Sequence, residues 1–219
     1  MIKQKQITAQ YAPEAALRRM LVYLEYLKGQ NAEFISSAQI SARFNFTAIQ
    51  VRKDIAYTGF NGRPKNGYKR TELIHNIEGF LGINDTMDAF LIGAGNLGKA
   101  LASYGGFAKY SLNIVAVGDD NPQLHGRQIN GKTIFPMHKA VDLIKRMRIK
   151  LAIIAVSPRS SQAVADTLAK AGIKAIWCFS SERINCPPGV IVQNEDLGAS
   201  LSVLWQKLLV SEQAARKKK

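Results

Sequence analysis

The ten residues Leu91–Ala100 read LIGAGNLGKA, and Gly93 to Gly98 within them spell G-A-G-N-L-G. An apolar run, DAFLIG, leads into these glycines, and an amphipathic stretch, NLGKALASYGG, leads out. Strand, glycine-rich turn, helix is the context in which this spacing signals a dinucleotide. Gly93 permits the tight turn, Gly95 lets backbone approach a pyrophosphate, and Gly98 lets the helix pack close to the strand. The helix start adds unpaired N–H groups and the positive end of its dipole, both suited to phosphate. A glycine turn that serves packing alone, without a ligand, is the competing reading.

Toward the C-terminus the next apolar run, LNIVAVG, ends at Asp119 and Asp120. Asp119 follows Gly98 at the distance, about 20 residues, at which an acid hydrogen-bonds ribose hydroxyls. Asp120 could share that role. A carboxylate there repels a 2′-phosphate, so NAD(H) is expected over NADP(H), although Arg127 nearby is what a 2′-phosphate would use. Beyond lie TIFPMHKAVDLIKRMR, KLAIIAVS, SQAVADTLAKAG, KAIWCFS, GVIVQN and DLGASLSVLWQKLLVSEQ. Continuous apolar strands alternating with amphipathic helices predict a parallel sheet covered on both faces. This is an α/β arrangement, a doubly wound Rossmann domain.

Toward the N-terminus the pattern is helical. In PEAALRRMLVYLEYLKG, Leu17, Met20, Leu21, Leu24 and Leu27 recur at spacings of three and four, with Pro13 near the start and Gly29 past the end. Ser36 with Gln39, and Thr47 with Gln50, are two capping boxes. They open SSAQISARF, with Ala38, Ile40 and Phe44 as an inner stripe, and TAIQVRKDIAYTG. Two short capped helices across a tight turn predict helix-turn-helix. Projection of the second places Ala48, Val51, Ile55 and Thr58 on one arc. Gln50, Lys53 and Tyr57 lie opposite, with Arg52 on the flank. Those outer groups suit base edges and phosphates, though an ordinary amphipathic surface helix would look the same. The following GFNGRPKNGYK is a basic, turn-rich hairpin with Asn66-Gly67 as its turn. A hairpin in that position is the wing of a winged helix, from which Arg63, Lys65 and Lys69 could reach along a phosphate backbone. TELIHNIEGFLG then reads as a helix leading onward, and Asn84-Asp85-Thr86 marks a boundary.

The 219 residues carry a formal net charge of +14, and Arg216 to Lys219 end the chain as RKKK. Such an excess attracts polyanions, nucleic acid first and anionic membrane second, or it is a solvated end. No apolar run suits a membrane span, and MIKQKQITAQYAP has no signal-peptide core. Cys178 and Cys186 form no CxxC and no zinc pattern, which points to a reducing, cytoplasmic setting with two inert thiols. His75, His125 and His138 belong to no catalytic set and read as surface residues. Little chain remains for a substrate domain. A dinucleotide that is bound but not transformed, joined to a DNA-binding half, suggests a redox sensor. Two alternatives stay open. One is a small NAD-dependent oxidoreductase with a basic, nucleic-acid-binding N-terminal domain. The other is a Rossmann domain that takes coenzyme A or another nucleotide, against which Asp119 speaks.

The combination of SSAQIS, TAIQVRKDIAYTG, GRPKNGY, GAGNLGKALASYGGF and VGDDNPQLHG resembles the Rex family of redox-sensing transcriptional repressors, from about Pro13 to about Leu209. The resemblance implies a homodimer on palindromic, double-stranded operator DNA, released by NADH while NAD+ permits binding. It implies three segments: a winged-helix domain over 1–84, a Rossmann NAD(H)-binding domain over 85–195, and a C-terminal helix with basic tail over 196–219. That helix would be exchanged between subunits. No catalytic or metal residues are expected. The cofactor-binding set implied is Gly93, Ala94, Gly95, Asn96, Leu97, Gly98, Tyr104, Asp119, Asp120, Val156, Ser157, Pro158, Phe179 and Ser180, with Asp196 an acid ahead of the exchanged helix. The DNA-binding set is Ser36, Ser37, Thr47, Gln50, Arg52, Lys53, Tyr57, Arg63, Lys65 and Tyr68. Departures from the family pattern are Thr58 before Gly59, the wing Arg63-Pro64-Lys65-Asn66-Gly67-Tyr68, Gly118 beside the ribose acid, Ser157-Pro158, and Cys178 through Ser181.

Overall fold

The computed structural model describes residues 12–64 and 66–216, with the side chains of 214–216 left aside. The chain divides into two compact units, Met1–Asp85 and Thr86–Lys219.

The first unit begins with α1 (Glu14–Lys28), entered at Pro13 and followed by Gly29. Its buried face is Ala16, Met20, Tyr23, Leu24 and Leu27. The expected stripe is therefore rotated toward Tyr23, and Leu17 and Leu21 lie only half-buried. Next come β1 (Phe34–Ile35), α2 (Ser37–Phe44), α3 (Ala48–Ala56), β2 (Tyr68–Lys69) and α4 (Arg70–Leu81). The Ser36 capping box is complete: Oγ accepts the Gln39 N–H at 3.2 Å, and Gln39 Oε1 accepts the Ser36 N–H at 2.8 Å. Ala38 is exposed, and Ser41 takes its place beside buried Ile40.

The wing departs from the expected hairpin. Arg63 and Gly67 exchange two backbone hydrogen bonds, of 2.6 and 3.0 Å, and form a single bridge. The strand that follows pairs with β1 instead, antiparallel, with Ile35 opposite Tyr68. Gly67 makes this possible. Its φ is +78°, and a Cβ there would stand 2.5 Å from the Ile35 carbonyl oxygen. Met20, Tyr23, Leu27, Ile40, Val51, Ile55, Leu73 and Ile77 form the core, all fully buried. Each contributes roughly 1.5–3 kcal/mol by leaving water, so α3 is held by packing and not by its own short length.

The second unit is a seven-stranded sheet. In chain order the strands are β3 (Met87–Ile92), β4 (Leu112–Gly118), β5 (Gln128–Ile129), β6 (Lys132–Phe135), β7 (Leu151–Ile154), β8 (Ala175–Cys178) and β9 (Ile191–Asn194). Their spatial order is β5-β6-β4-β3-β7-β8-β9. All pairings are parallel except β5 with β6, an edge hairpin that sequence periodicity did not reveal. The helices are α5 (Asn96–Ser103), α6 (Met137–Met147), α7 (Pro158–Ala171) and α8 (Leu197–Arg216). Two apolar clusters lie on the sheet, one with Phe90, Ile92, Ile154 and Leu168, the other with Leu91, Val117, Ile134 and Ile153. The chain runs from β3 to β4 on one side and returns to β7 on the other. The crevice at this reversal, outside the carboxyl ends of the strands, is where open α/β sheets take ligands.

Along α8, Leu201, Val203, Leu204, Trp205, Leu208 and Val210 are all exposed. Among the described residues, no helix is long and apolar enough to cross a membrane. Cys178 is buried, Cys186 is half-buried, and neither is in a disulfide. Burial pushes both thiols up, which leaves them protonated at neutral pH.

Candidate functional site

The glycine turn lies at the sheet's reversal point. Gly93 has φ +105°, and a Cβ there would collide with the Ala155 carbonyl. A Cβ at Gly98 would collide with the Gly93 carbonyl, so this glycine sets the approach of α5 to the turn. Gly95 differs from both. A Cβ there meets nothing within 4 Å, because its α-carbon borders open space. The cleft in front of it has a volume of about 280 Å³ and includes Gly93, Gly95, Asp119, Asp120, Val156 and Ser157 on its wall. Asn96 and Leu97 form the first turn of α5, whose N–H groups have no acceptor within the helix. Ala94 is buried and does not line the cleft.

Asp119 is fastened to the turn. Its Oδ2 accepts the Ala94 N–H at 2.7 Å and its Oδ1 accepts the Asn121 N–H at 2.8 Å. The remaining lone pairs border the cleft. His125, expected at the surface, instead places Nε2 2.8 Å from the Asp119 carbonyl oxygen. A carbonyl only accepts, so Nε2 carries the proton. Ser160 also lines the cleft, with its Oγ 3.1 Å from that of Ser157. Its place one helical turn after Ser157, at the start of α7, is the signal that could have found it.

A second pocket, of about 310 Å³, shares Val156 with the first. It brings Pro158, Phe179 and Ser180 together with Ser181, Glu195 and Asp196. Asp196 Oδ1 accepts the N–H groups of Gly198 and Ala199 at 2.8 and 3.1 Å and so caps α8. Tyr104 is not brought to either pocket. It sits past the opposite end of α5 from the glycine turn, 60% exposed, with its ring edge-on to Phe107. Its place in the cofactor set came from the family resemblance alone, and the eight residues of α5 separate it from the glycine turn.

In the first unit, α3 presents Arg52 and Lys53 to solvent. Thr47 caps it, its Oγ1 accepting the Gln50 N–H at 3.1 Å. The reciprocal half of that expected box is not made, since the Gln50 amide donates to Asp54 at 2.9 Å. Asp54 went unnoticed in the sequence and organises this helix. It is 1% exposed and accepts from Arg19, Tyr23 and Gln50. Tyr57 is half-buried against the core. Tyr68, expected to face DNA, is 7% exposed and packs beside Phe60, so it supports the wing from below. Ser36, Ser37, Arg52 and Arg63 line one open groove of about 490 Å³. Phe60 and Asn61 also line it, without any periodic signal in the sequence. Lys65 and the tail lysines 217–219 lie outside the described residues.

The family described as "CoA binding domain" matches residues 84–182, and that described as "Putative DNA-binding protein N-terminus" matches residues 12–56. The chain is 37% identical over 216 residues to the redox-sensing transcriptional repressor Rex of Bacteroides thetaiotaomicron, covering 96% of this chain and 97% of that one. It is 40% identical over 192 residues to the Rex of Treponema denticola, covering 86% and 91%. The crystal structure of RSP in complex with β-NAD+ and operator DNA superimposes with a TM-score of 0.88 at 34% identity, over 95% of this chain and 97% of that one. RSP in complex with β-NADH gives 0.81 at 34% identity, over 95% and 99%.

Proposed function

The chain belongs to the Rex family of redox-sensing transcriptional repressors, and from that premise we infer that it is a DNA-binding repressor that senses the NADH/NAD+ ratio. It is a regulator and not an enzyme; the relatives it matches over nearly their whole length carry a repressor's name. NAD(H) is its ligand. The observation that carries this reading is the pairing, in one chain, of two folded units. One presents α3 with exposed Arg52 and Lys53; the other places Gly95 and Asp119 around an open cleft. The same pairing, at a TM-score of 0.88, was crystallised with both β-NAD+ and operator DNA.

Within this reading, the cleft at Gly93, Gly95 and Asp119 takes the adenosine and pyrophosphate portion. The Asp119 carboxylate, fixed by two backbone N–H groups, receives ribose hydroxyls and disfavours a 2′-phosphate. The pocket at Phe179 and Ser180 takes the nicotinamide end. Coenzyme A is disfavoured for the same carboxylate, despite the description attached to the Rossmann family. Arg52, Lys53 and Arg63 supply phosphate contacts, while Gln50, held by Asp54, steadies the helix that presents them. The functional form is a homodimer on a palindrome, with the exposed apolar face of α8 as part of its interface. It acts in the cytoplasm, beside the DNA it controls.

NADH can displace DNA only through a difference in its affinity for the DNA-binding and released forms. Fluorescence anisotropy with a labelled palindrome tests this, without ligand, with NAD+ and with NADH, at two salt concentrations. Tight binding abolished by NADH alone is the expected result. Binding indifferent to both nucleotides would remove the sensing and keep the repressor. No specific binding would overturn the reading.

A further inference from the structure

The pocket assigned to the nicotinamide end has an unusual wall. Phe179 and Val156 make part of it apolar, yet its only charges, among the described residues, are the carboxylates of Glu195 and Asp196. The two are not equivalent. Asp196 faces the start of α8, where two N–H groups and the positive end of the helix dipole offset its charge. Glu195 has no such compensation. Its Oε1 accepts the indole N–H of Trp177 at 3.2 Å and the Gln193 amide at 3.4 Å, both neutral donors. Its own N–H donates to the Cys178 carbonyl at 2.8 Å, which fixes its backbone to the end of β8. Trp177 is fixed in turn, packed on Phe179 with ring centroids 4.7 Å apart and on Phe107 at 5.7 Å. A glutamate on a surface would swing freely through water. This one is held by a half-buried aromatic cluster.

We propose that Glu195, positioned by Trp177, determines the preference between oxidised and reduced nucleotide. The oxidised nicotinamide ring carries a positive charge and the reduced ring carries none; the rest of the two molecules is the same. A fixed carboxylate at the ring's pocket therefore stabilises the oxidised form selectively, and Val156 and Phe179 on part of the wall reduce its screening by water. Both nucleotides compete for one site, so the ratio of their affinities fixes the ratio of concentrations at which one replaces the other. Glu195 thus sets the NADH/NAD+ ratio at which the repressor switches. This inference rests on the nicotinamide end occupying the Phe179 pocket.

The test is calorimetric titration of the full-length protein with NAD+, NADH and ADP-ribose. In Glu195→Gln the amide oxygen still accepts from Trp177, so shape is kept and charge is lost. NAD+ should bind about tenfold more weakly, equivalent to about 1.4 kcal/mol, while NADH and ADP-ribose change by less than about twofold. Trp177→Phe keeps the aromatic wall and removes the donor; it should weaken NAD+ partially and again spare NADH. Equal losses for NAD+ and NADH, or no change in either, would overturn the proposal and leave the dinucleotide site standing. A wild-type protein that binds none of the three would overturn the dinucleotide reading and this inference with it.

Discussion

Arg19 on α1 and Asp54 on α3, 35 residues apart, form a two-pronged ion pair of 2.6 and 2.8 Å. It joins the helix that carries Arg52 and Lys53 to the core of its unit. Tyr23 completes the seat with a hydrogen bond of 2.8 Å to Asp54 Oδ2. Arg19 keeps some access to water, so the loss on removing Asp54 falls at the lower end of that for a buried pair, roughly 3 kcal/mol. Asp54→Ala should cost about 3 kcal/mol in the first unit and spare the second, read by hydrogen exchange in α1 and α3 against β3 and β7.

The same carboxylate makes the first unit acid-sensitive. Burial alone would push Asp54 up, but the hydrogen bonds from Arg19, Tyr23 and Gln50 outweigh it and hold it below its usual value of 3.8. A depressed carboxyl stabilises the fold above its unfolded value, and that contribution is lost as pH falls through the lowered one. Stability of the first unit should therefore decline below about pH 4. In Asp54→Asn the decline should be shallower. Circular dichroism during acid titration of both proteins measures it; identical slopes would refute the role given to Asp54.

Gly95 and Gly98 should separate binding from folding. Gly98→Ala drives a methyl into the Gly93 carbonyl and should lower the melting temperature of the second unit. Gly95→Ala places its methyl in open space, so the fold should melt within about 2 °C of wild type. It should still lose at least about tenfold in NADH affinity, because the pyrophosphate is kept at a distance. A Gly95→Ala protein that DNA leaves normally on adding NADH would misplace the pyrophosphate.

Arg52 and Lys53 are exposed on α3. Lys53→Ala should weaken operator binding and flatten the plot of log affinity against log salt by about one unit if it neutralises one phosphate. Nucleotide affinity should not change. An unaltered operator affinity and slope would reject α3 as the reading helix.

The exposed face of α8 carries Leu201, Leu204, Trp205 and Leu208. If the proposed homodimer uses this face, Leu204→Glu should lower the sedimentation coefficient to that of a single chain and reduce operator affinity at least about tenfold. A dimer that survives the substitution places the interface elsewhere.

Residue order alone was enough for the division into a helical and an α/β half, the alternation of strands and helices, and the glycine turn with an acid at the end of the next strand. These are local patterns. A period of 2 or 3.6 or a fixed spacing reports which face is buried and where a backbone must bend. It does not report what lies across the interior. Tertiary structure alone decided that Asp54 meets Arg19, that the Gln50 amide leaves its expected cap for that carboxylate, and that β2 pairs with residues 34–35. It also turned Tyr68 inward and left Tyr104 at the far end of α5. The same holds for Trp177 and Glu195, 18 residues apart and on different elements. Each of these depends on a partner brought near by packing, and partner choice across a core is set by the summed shape of all the elements rather than by any one stretch of chain.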